Sequence, residues 1–147
     1  MKGCDSGFAI DANVILRHLL KDHREQSPKA KAVMDAVQEG SLEIVCDPVT
    51  LAEVVFVLTR FYKLSRADIS TELASLLKAE GFRIADKPLY ERALQLYADT
   101  VPHFGDACAC AAALQHCEGR LLSFDQALSK VDGIARAESP PVREDDT

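Results

Sequence analysis

Residues 7–20 read GFAIDANVILRHLL, and this stretch introduces the pattern on which the fold depends. A short apolar run at residues 8–10 stops at the carboxylate of Asp11, and a second apolar run begins at Val14. The first run is typical of a short buried strand, and the second has the spacing of a helix with one apolar face. The stretch therefore predicts a strand, a turn that carries an acidic side chain, and a helix.

The same alternation continues along the chain. Apolar runs rich in β-branched or aromatic residues predict further strands at residues 42–46, 82–85 and 121–124, and a weak edge strand near Ile134. Helices are predicted at residues 14–20, 29–38, 50–62, 65–79, 89–97 and 104–116, with a last short helix around residues 126–130. This order is typical of an α/β domain whose parallel sheet is covered by helices on both faces.

Parallel sheets bind ligands at the carboxyl ends of their strands, which gives a rule for sorting the 23 acidic residues. The candidates are acids in apolar surroundings that follow a strand or lie in the first turn of an adjoining predicted helix: Asp11, Glu53, Asp106 and Asp125. Carboxylates that converge on one cleft repel each other unless a cation neutralises them. Oxygen ligands without nearby Cys or His pairs suit Mg²⁺ or Mn²⁺.

Each candidate also has a purely structural interpretation. Asp11 or Asn13 would cap the first helix, Glu53 would complete a capping box with Thr50, Asp106 would complement a helix dipole, and Asp125 would cap the last short helix. Taken singly, each acid fits this interpretation better than a catalytic one. Taken together, the four acids favour a shared site.

The composition indicates one globular domain, since 48% of the 147 residues are hydrophobic and 27% are charged. No apolar run approaches the roughly 18–20 residues of a membrane span, and we expect a cytoplasmic protein without a secretory signal. Five Cys without a C-x-x-C pair favour free thiols over a zinc site.

The net charge of −6 argues at first against a nucleic-acid partner. Residues 137–147 hold four acids and one Arg, however, so the tail alone contributes −3 and the domain would span residues 1–136. We expect this acidic tail to be disordered. Two basic clusters, within residues 17–31 and 60–66, are either phosphate-binding patches or solvated helix faces.

These residues and motifs give the chain a family likeness. It resembles PIN domains, and most closely the small VapC-type toxins of bacterial toxin–antitoxin pairs. The resemblance runs from Phe8 to about Arg136 and rests on four segments in order: AIDANVILRHLL, TLAEVVFVL, FGDACACAAAL and LLSFDQAL. It implies a three-layer α/β/α PIN-like domain with a central four- to five-stranded parallel sheet, in which Asp11 would end the central strand.

The resemblance also implies a Mg²⁺-dependent (or Mn²⁺-dependent) endoribonuclease that cleaves RNA. Asp11 and Asp106 would bind the metal directly, and Asp125 and Glu53 would act through water or a second ion. Asn13 and Ser123 would hydrogen-bond to these ligands. The chain departs from the family at His103, where members often carry a second acid, and the position of Asp125 is the most variable of the four.

The partners that the resemblance implies are a second copy of the chain, as a homodimer, and a cognate antitoxin protein that blocks the cleft. One alternative stays open, namely a module of the same fold that binds RNA or a protein without cleaving. An aspartyl-nucleophile phosphatase would also place an acid after its first strand. Such an enzyme needs a second Asp as general acid where this chain has Asn13, and an amide cannot transfer the proton.

Overall fold

The computed structural model describes residues 7–142 of the chain. Helices and short strands alternate through this range, as the sequence predicts. The elements are β1 (Phe8–Ala9), α1 (Ala12–Leu20), α2 (Gln26–Glu39), β2 (Ile44–Val45), α3 (Pro48–Arg60), α4 (Arg66–Leu77), β3 (Phe82–Arg83), α5 (Lys87–Asp99), α6 (Phe104–His116), β4 (Arg120–Leu122), a 3₁₀ helix (Gln126–Lys130) and β5 (Ala135–Ala137). None of the helices in this range could span a lipid bilayer.

All five strands pair in parallel, but they pair in two groups. The order β1-β2-β3 forms one sheet, in which Phe8 lies opposite Ile44 and Ile44 opposite Phe82. Strands β4 and β5 form a second sheet, and no ladder within the described residues joins β4 to β1. β1 is therefore an edge strand of its sheet, and the expectation that Asp11 ends a central strand is wrong. The sequence marks where a strand lies, but it does not fix that strand's neighbours.

One aromatic side chain holds four helices together. The Tyr97 ring of α5 packs edge-on against Phe104 of α6, with centroids 5.7 Å apart. Its hydroxyl shares a 2.9 Å hydrogen bond with Thr59 of α3, and Arg66 of α4 donates to its backbone carbonyl over 3.1 Å. Tyr97 itself is almost fully buried. These contacts fix the first turn of α6 relative to the last turn of α3, and these two helices carry two of the candidate acids, Asp106 and Glu53.

Two glycines mark turns that the sequence predicts, but for different reasons. Gly40 ends α2 in the left-handed conformation, at φ +80°, which is the expected role of a C-terminal glycine. Gly81 lies four residues after the end of α4 at Leu77, where the sequence predicts a helix as far as residue 79. A Cβ at Gly81 would lie only 2.0 Å from the carbonyl oxygen of Leu42, so any side chain there would push apart the chain segments that lead into β2 and β3.

The end of the described range bears on the predicted domain boundary. Strand β5 ends at Ala137, one residue past the expected end of the domain at residue 136. Residues 143–147, which carry three of the four acids of the predicted tail, lie outside the described residues. The disorder of that tail stays a prediction.

Candidate active site

Asp11 lies in the turn between β1 and α1. Its backbone occupies the N-cap position of α1, but its side chain accepts no hydrogen bond from the helix. Asn13 lies inside the first turn of α1, so it is not a cap either. The capping interpretation is therefore wrong for both side chains. Both are exposed and line a groove of about 390 Å³ between α1 and α2, together with Arg17 and Lys29.

Glu53 lies deeper in its helix than predicted. α3 begins at Pro48, two residues before the predicted start, because Asp47 is the N-cap and Pro suits the first helical position. The Asp47 carboxylate accepts hydrogen bonds from the backbone N–H of Thr50 at 2.9 Å and from its hydroxyl at 2.7 Å, which lowers the pKa of this carboxyl group. Glu53 is thus in the second turn and forms no capping box. Its side chain points into an open groove between α3 and the start of α6.

Asp106 is the third residue of α6, in the first turn as predicted. It is half-buried, and the residue at the N-cap, His103, makes no side-chain capping bond. A carboxylate here complements the partial positive charge of the helix N-terminus, so the dipole interpretation of Asp106 remains valid. That interaction leaves the oxygen atoms free to bind a ligand.

Asp125 has a structural role. It is the N-cap of the 3₁₀ helix, and its carboxylate accepts a hydrogen bond from the backbone N–H of Ala127 at 3.0 Å. Ser123 in turn accepts a hydrogen bond from the backbone N–H of Asp125 at 3.0 Å. The capping interpretation is confirmed for Asp125, and the Ser123 hydroxyl fixes the turn that carries this acid. One carboxylate oxygen of Asp125 remains without a bond to the described residues.

The structure brings some of the candidates together. The thiol of Cys110 on α6 is desolvated by burial, and the nearby charges of Asp106 and Asp125 raise its pKa further, so both carboxylates lie within electrostatic reach of this one group. Glu53 shares its groove with Gly105, the residue next to Asp106. Asp11 lines the separate groove between α1 and α2, and no described contact joins its side chain to the other three acids.

These acids fit one kind of metal site and not another. Within residues 7–142, no group of three or more His, Cys, Asp or Glu side chains is placed to hold a metal ion, so a closed all-protein cage is excluded there. Mg²⁺, however, keeps several waters and is usually bound through one or two carboxylates plus substrate phosphates. Oxygen-only donors without other bonding partners suit that mode.

Two further acids directly follow a predicted strand, although the sequence analysis does not name them as candidates. Asp47 follows β2 and caps α3, as described above. Asp86 follows β3, and its carboxylate lies 2.5 Å from His116 at the far end of α6. Both are occupied in structural contacts, which separates them from Asp11 and Glu53.

The sequence argument did not connect Glu53 with the side chains that line its groove, although it includes Arg60 in the basic cluster at residues 60–66 and names His103 as a departure from the family. Phe56 and Arg60 follow Glu53 on the same face of α3, at three and seven residues, and His103 faces them from the start of α6. The spacing i, i+3, i+7 from a candidate catalytic acid on a helix is the signal that could have identified the first two.

Comparison with protein-family models gives a match over most of the chain. The matching model is described as PIN domain and covers residues 8–134. This match bears out the predicted three-layer α/β/α fold. PIN domains are generally nucleases that use divalent metal ions and act on RNA. A search of curated proteins finds no significant match.

Proposed function

We propose that this chain, which belongs to the PIN domain family, is a Mg²⁺-dependent endoribonuclease and the toxin of a toxin–antitoxin pair. The family supports a metal-dependent nuclease in general, and the finer assignment rests on the four sequence segments that resemble VapC-type toxins. The observation that carries the proposal is the set of unoccupied carboxylates at the strand and helix ends.

Three of the four acids have no bonding partner in the fold. Within residues 7–142, no side-chain hydrogen bond or ion pair uses the carboxylates of Asp11, Glu53 or Asp106. The other acids that follow strands differ, since Asp47 caps α3 and Asp86 pairs with His116. Asp125, the fourth candidate, uses one carboxylate oxygen to cap the 3₁₀ helix and keeps the other free of bonds to the described residues. Carboxylates left free at the ends of helices and strands are available to a cation and its substrate.

The roles follow from what each side chain can do. We assign Asp11 and Asp106 to direct contact with the ion, and Asp125 and Glu53 to contact through water. A bound Mg²⁺ would lower the pKa of a coordinated water and hold the scissile phosphate. Glu53 would orient or deprotonate the attacking water, and Ser123 would keep Asp125 in place through the turn. Asn13 would hydrogen-bond to the Asp11 side of the site.

The proposed partners are a second copy of the chain and an antitoxin protein. Open strand edges support a protein partner, because an unpaired edge is a template for pairing with another chain. Phe8 of β1 and Leu122 of β4 lie at such edges and are 65% and 68% exposed, and Phe124 just beyond β4 is 82% exposed. Light scattering of the purified chain tests the homodimer, and co-purification of a small protein encoded beside its gene tests the antitoxin; a monomer without such a companion would contradict both assignments.

Two single substitutions test the nuclease directly. Asp11→Asn and Asp106→Asn should each abolish Mg²⁺-dependent cleavage of a labelled RNA while the circular dichroism spectrum stays that of the wild type. Asp35→Asn is the matched control, since Asp35 is an exposed acid on α2 that pairs only with Lys31 at 2.7 Å. Cleavage by either site variant at the rate of the control would refute the proposal.

A second candidate function is binding without cleavage. The absence of a three-acid group within the described residues favours it over a closed catalytic metal centre. RNA binding by the wild type with no cleavage at millimolar Mg²⁺ or Mn²⁺ would select this alternative.

A further inference from the structure

The turn that carries Asp125 is held by a side chain to which the proposed chemistry gives no role. Arg136 is the middle residue of β5 and pairs with Leu121 of β4 in the parallel ladder. Its side chain is only 15% exposed, although both of its neighbours in the strand are exposed. Because charged side chains are rarely buried without partners, the contacts of Arg136 show what it holds.

Arg136 bonds to both ends of the segment that contains Asp125. Its Nη1 donates a hydrogen bond over 2.8 Å to the backbone carbonyl of Ser123, which lies two residues before the acid. Its Nε donates over 2.8 Å to the hydroxyl of Ser129, which lies four residues after the acid. The guanidinium group is planar and holds its donors in a fixed fork. The two contacts therefore fix the ends of the segment relative to each other.

An ion pair balances the charge of this arginine. The carboxylate of Glu138 accepts a hydrogen bond from the same Nη1 over 2.6 Å. Asp125 itself forms no ion pair within the described residues. A cation bonded directly to Asp125 would compete with a metal ion for its oxygen atoms. Arg136 thus contacts the turn without neutralising the acid that the turn carries.

The contacts of Arg136 reach the carboxylate through the backbone of the turn. The hydroxyl of Ser123 accepts a hydrogen bond from the backbone N–H of Asp125 at 3.0 Å. One carboxylate oxygen of Asp125 then accepts from the backbone N–H of Ala127 at 3.0 Å, which leaves the other oxygen for a ligand. A shift of Ser123 or Ser129 would therefore turn the free oxygen away from its present direction.

We propose that Arg136 is a positioning residue of the metal site, which acts through Asp125 by fixing the turn that presents the free carboxylate oxygen. The inference rests on the proposed nuclease function and adds a residue to it. Asp125 is exposed, so packing alone does little to hold its side chain. A carboxylate that is already oriented loses less conformational freedom when an ion binds. The alternative is that Arg136 only stabilises the contact between β5 and the 3₁₀ helix.

A titration with Mn²⁺ in the absence of RNA separates these two roles. The electron paramagnetic resonance signal of free Mn²⁺ is lost on binding, so it reports metal affinity apart from turnover. Arg136→Lys keeps the positive charge, but a single ammonium group cannot reproduce the fork. Since groups that orient metal ligands typically contribute about 10- to 100-fold, we expect the Kd for Mn²⁺ to rise about 10-fold. The kcat for RNA cleavage should fall by a similar factor, with KM little changed.

Two further variants keep the comparison independent of folding. Ser129→Ala removes only the Nε contact at an exposed residue, so it should raise the same Kd by a smaller factor even if Arg136→Lys fails to fold. Arg83→Lys is the matched control, since Arg83 of β3 also bonds to a carboxylate, that of Glu43 at 2.8 Å, but makes no hydrogen bond to residues 123–130. Its Kd should equal that of the wild type. Circular dichroism shows which variants are folded.

The variant Asp125→Asn tests whether Arg136 acts through the acid. Asn caps helices about as well as Asp, so the turn is retained. In this background Arg136→Lys should raise the Kd for Mn²⁺ no further, because two residues that act through one group are not additive. A rise by the same factor in both backgrounds would overturn the positioning role.

The outcomes also distinguish this inference from the nuclease assignment. Cleavage by the wild type, with one Kd for Mn²⁺ shared by the wild type, Arg136→Lys and Ser129→Ala, would refute only the positioning role. A wild type that neither binds Mn²⁺ nor cleaves RNA would overturn both proposals. Mn²⁺ binding that depends on Arg136, without cleavage, would support the positioning role and refute the nuclease.

Discussion

The substitution Glu53→Gln should separate catalysis from stability. The Glu53 side chain is exposed and makes no hydrogen bond or ion pair within the described residues, so the fold loses nothing when its charge is removed. Gln has nearly the same helix propensity as Glu. We therefore expect the free energy of unfolding to change by less than about 0.5 kcal/mol.

The effect on activity should be much larger. A side chain that orients or deprotonates the attacking water typically contributes about 10²- to 10⁴-fold to the rate. The amide of Gln can still accept a hydrogen bond from the water, but it cannot take the proton. We expect kcat for RNA cleavage to fall by at least about 100-fold, with KM little changed because the groove keeps its shape.

The control is a residue that contributes to stability but has no role in the proposed catalysis. Ser65 caps α4, and its hydroxyl accepts a hydrogen bond from the backbone N–H of Asp68 at 3.1 Å. Ser65→Ala should cost about 1 kcal/mol of stability. For a domain of this size the loss corresponds to about 2–4 °C in Tm. Its kcat should equal that of the wild type at temperatures where both proteins are folded.

Urea unfolding followed by circular dichroism gives the stabilities, and cleavage of a fluorophore-quencher RNA gives the rates. Each variant should change only one of these two quantities: Glu53→Gln should lower the cleavage rate, and Ser65→Ala should lower the stability. If Glu53→Gln unfolded at a clearly lower urea concentration while it kept its cleavage rate, the carboxylate would have a structural role and the catalytic assignment would be wrong.

Three further outcomes are expected. Asp125→Ala should lose about 1 kcal/mol of stability together with activity, because the side chain caps the 3₁₀ helix. Urea unfolding and cleavage assays on one sample measure both losses. Unchanged stability would contradict the observed cap. Burial raises the pKa of the Cys46 thiol from 9.0 to about 11, so the unfolded chain releases this proton first and stability should fall as the pH rises from 9 to 11. Cys46→Ala should make that decline less steep without removing it, because burial also raises the pKa of Cys108 to about 11; an equally steep decline in the variant would count against the assignment. EDTA should abolish cleavage without lowering Tm, since the buried core contains no metal-dependent contact among the described residues; a lower Tm would indicate a structural ion.

The elements that could be predicted are those with a clear local signal. The bounds of α6 and of the last short helix agree with the sequence prediction, and Ser65 caps α4 as expected. The start of α3 was wrong by two residues, because Asp47-Pro48 was interpreted as the end of a strand and not as an N-cap followed by Pro. That error moved Glu53 from the second turn to the first and suggested a capping box.

The pairing of the strands could not be predicted. Each strand has only two or three residues, and such runs carry no information on their neighbours. The candidate acids were found because they follow strands and begin helices, which is local information. Their mutual distances depend on how the helices pack, and the sequence specifies this only through the whole core.

The division of the strands into two groups has a consequence for the geometry of the acids. Within the described residues no backbone ladder runs from β1 to β4, so the separation of Asp11 from Asp125 depends on how the helices and their side chains pack. Asp125 and Asp106 both lie near Cys110 of α6. Apart from Phe104 in the first turn, the buried residues of that helix are small: Ala107, Cys110, Ala111 and Ala113. A larger side chain at one of them would act as a spacer that shifts Asp125 away from Asp106 while every strand hydrogen bond stays intact. The position of Asp125 relative to Asp106 could thus change through the size of the buried α6 side chains alone, without a change in either acid.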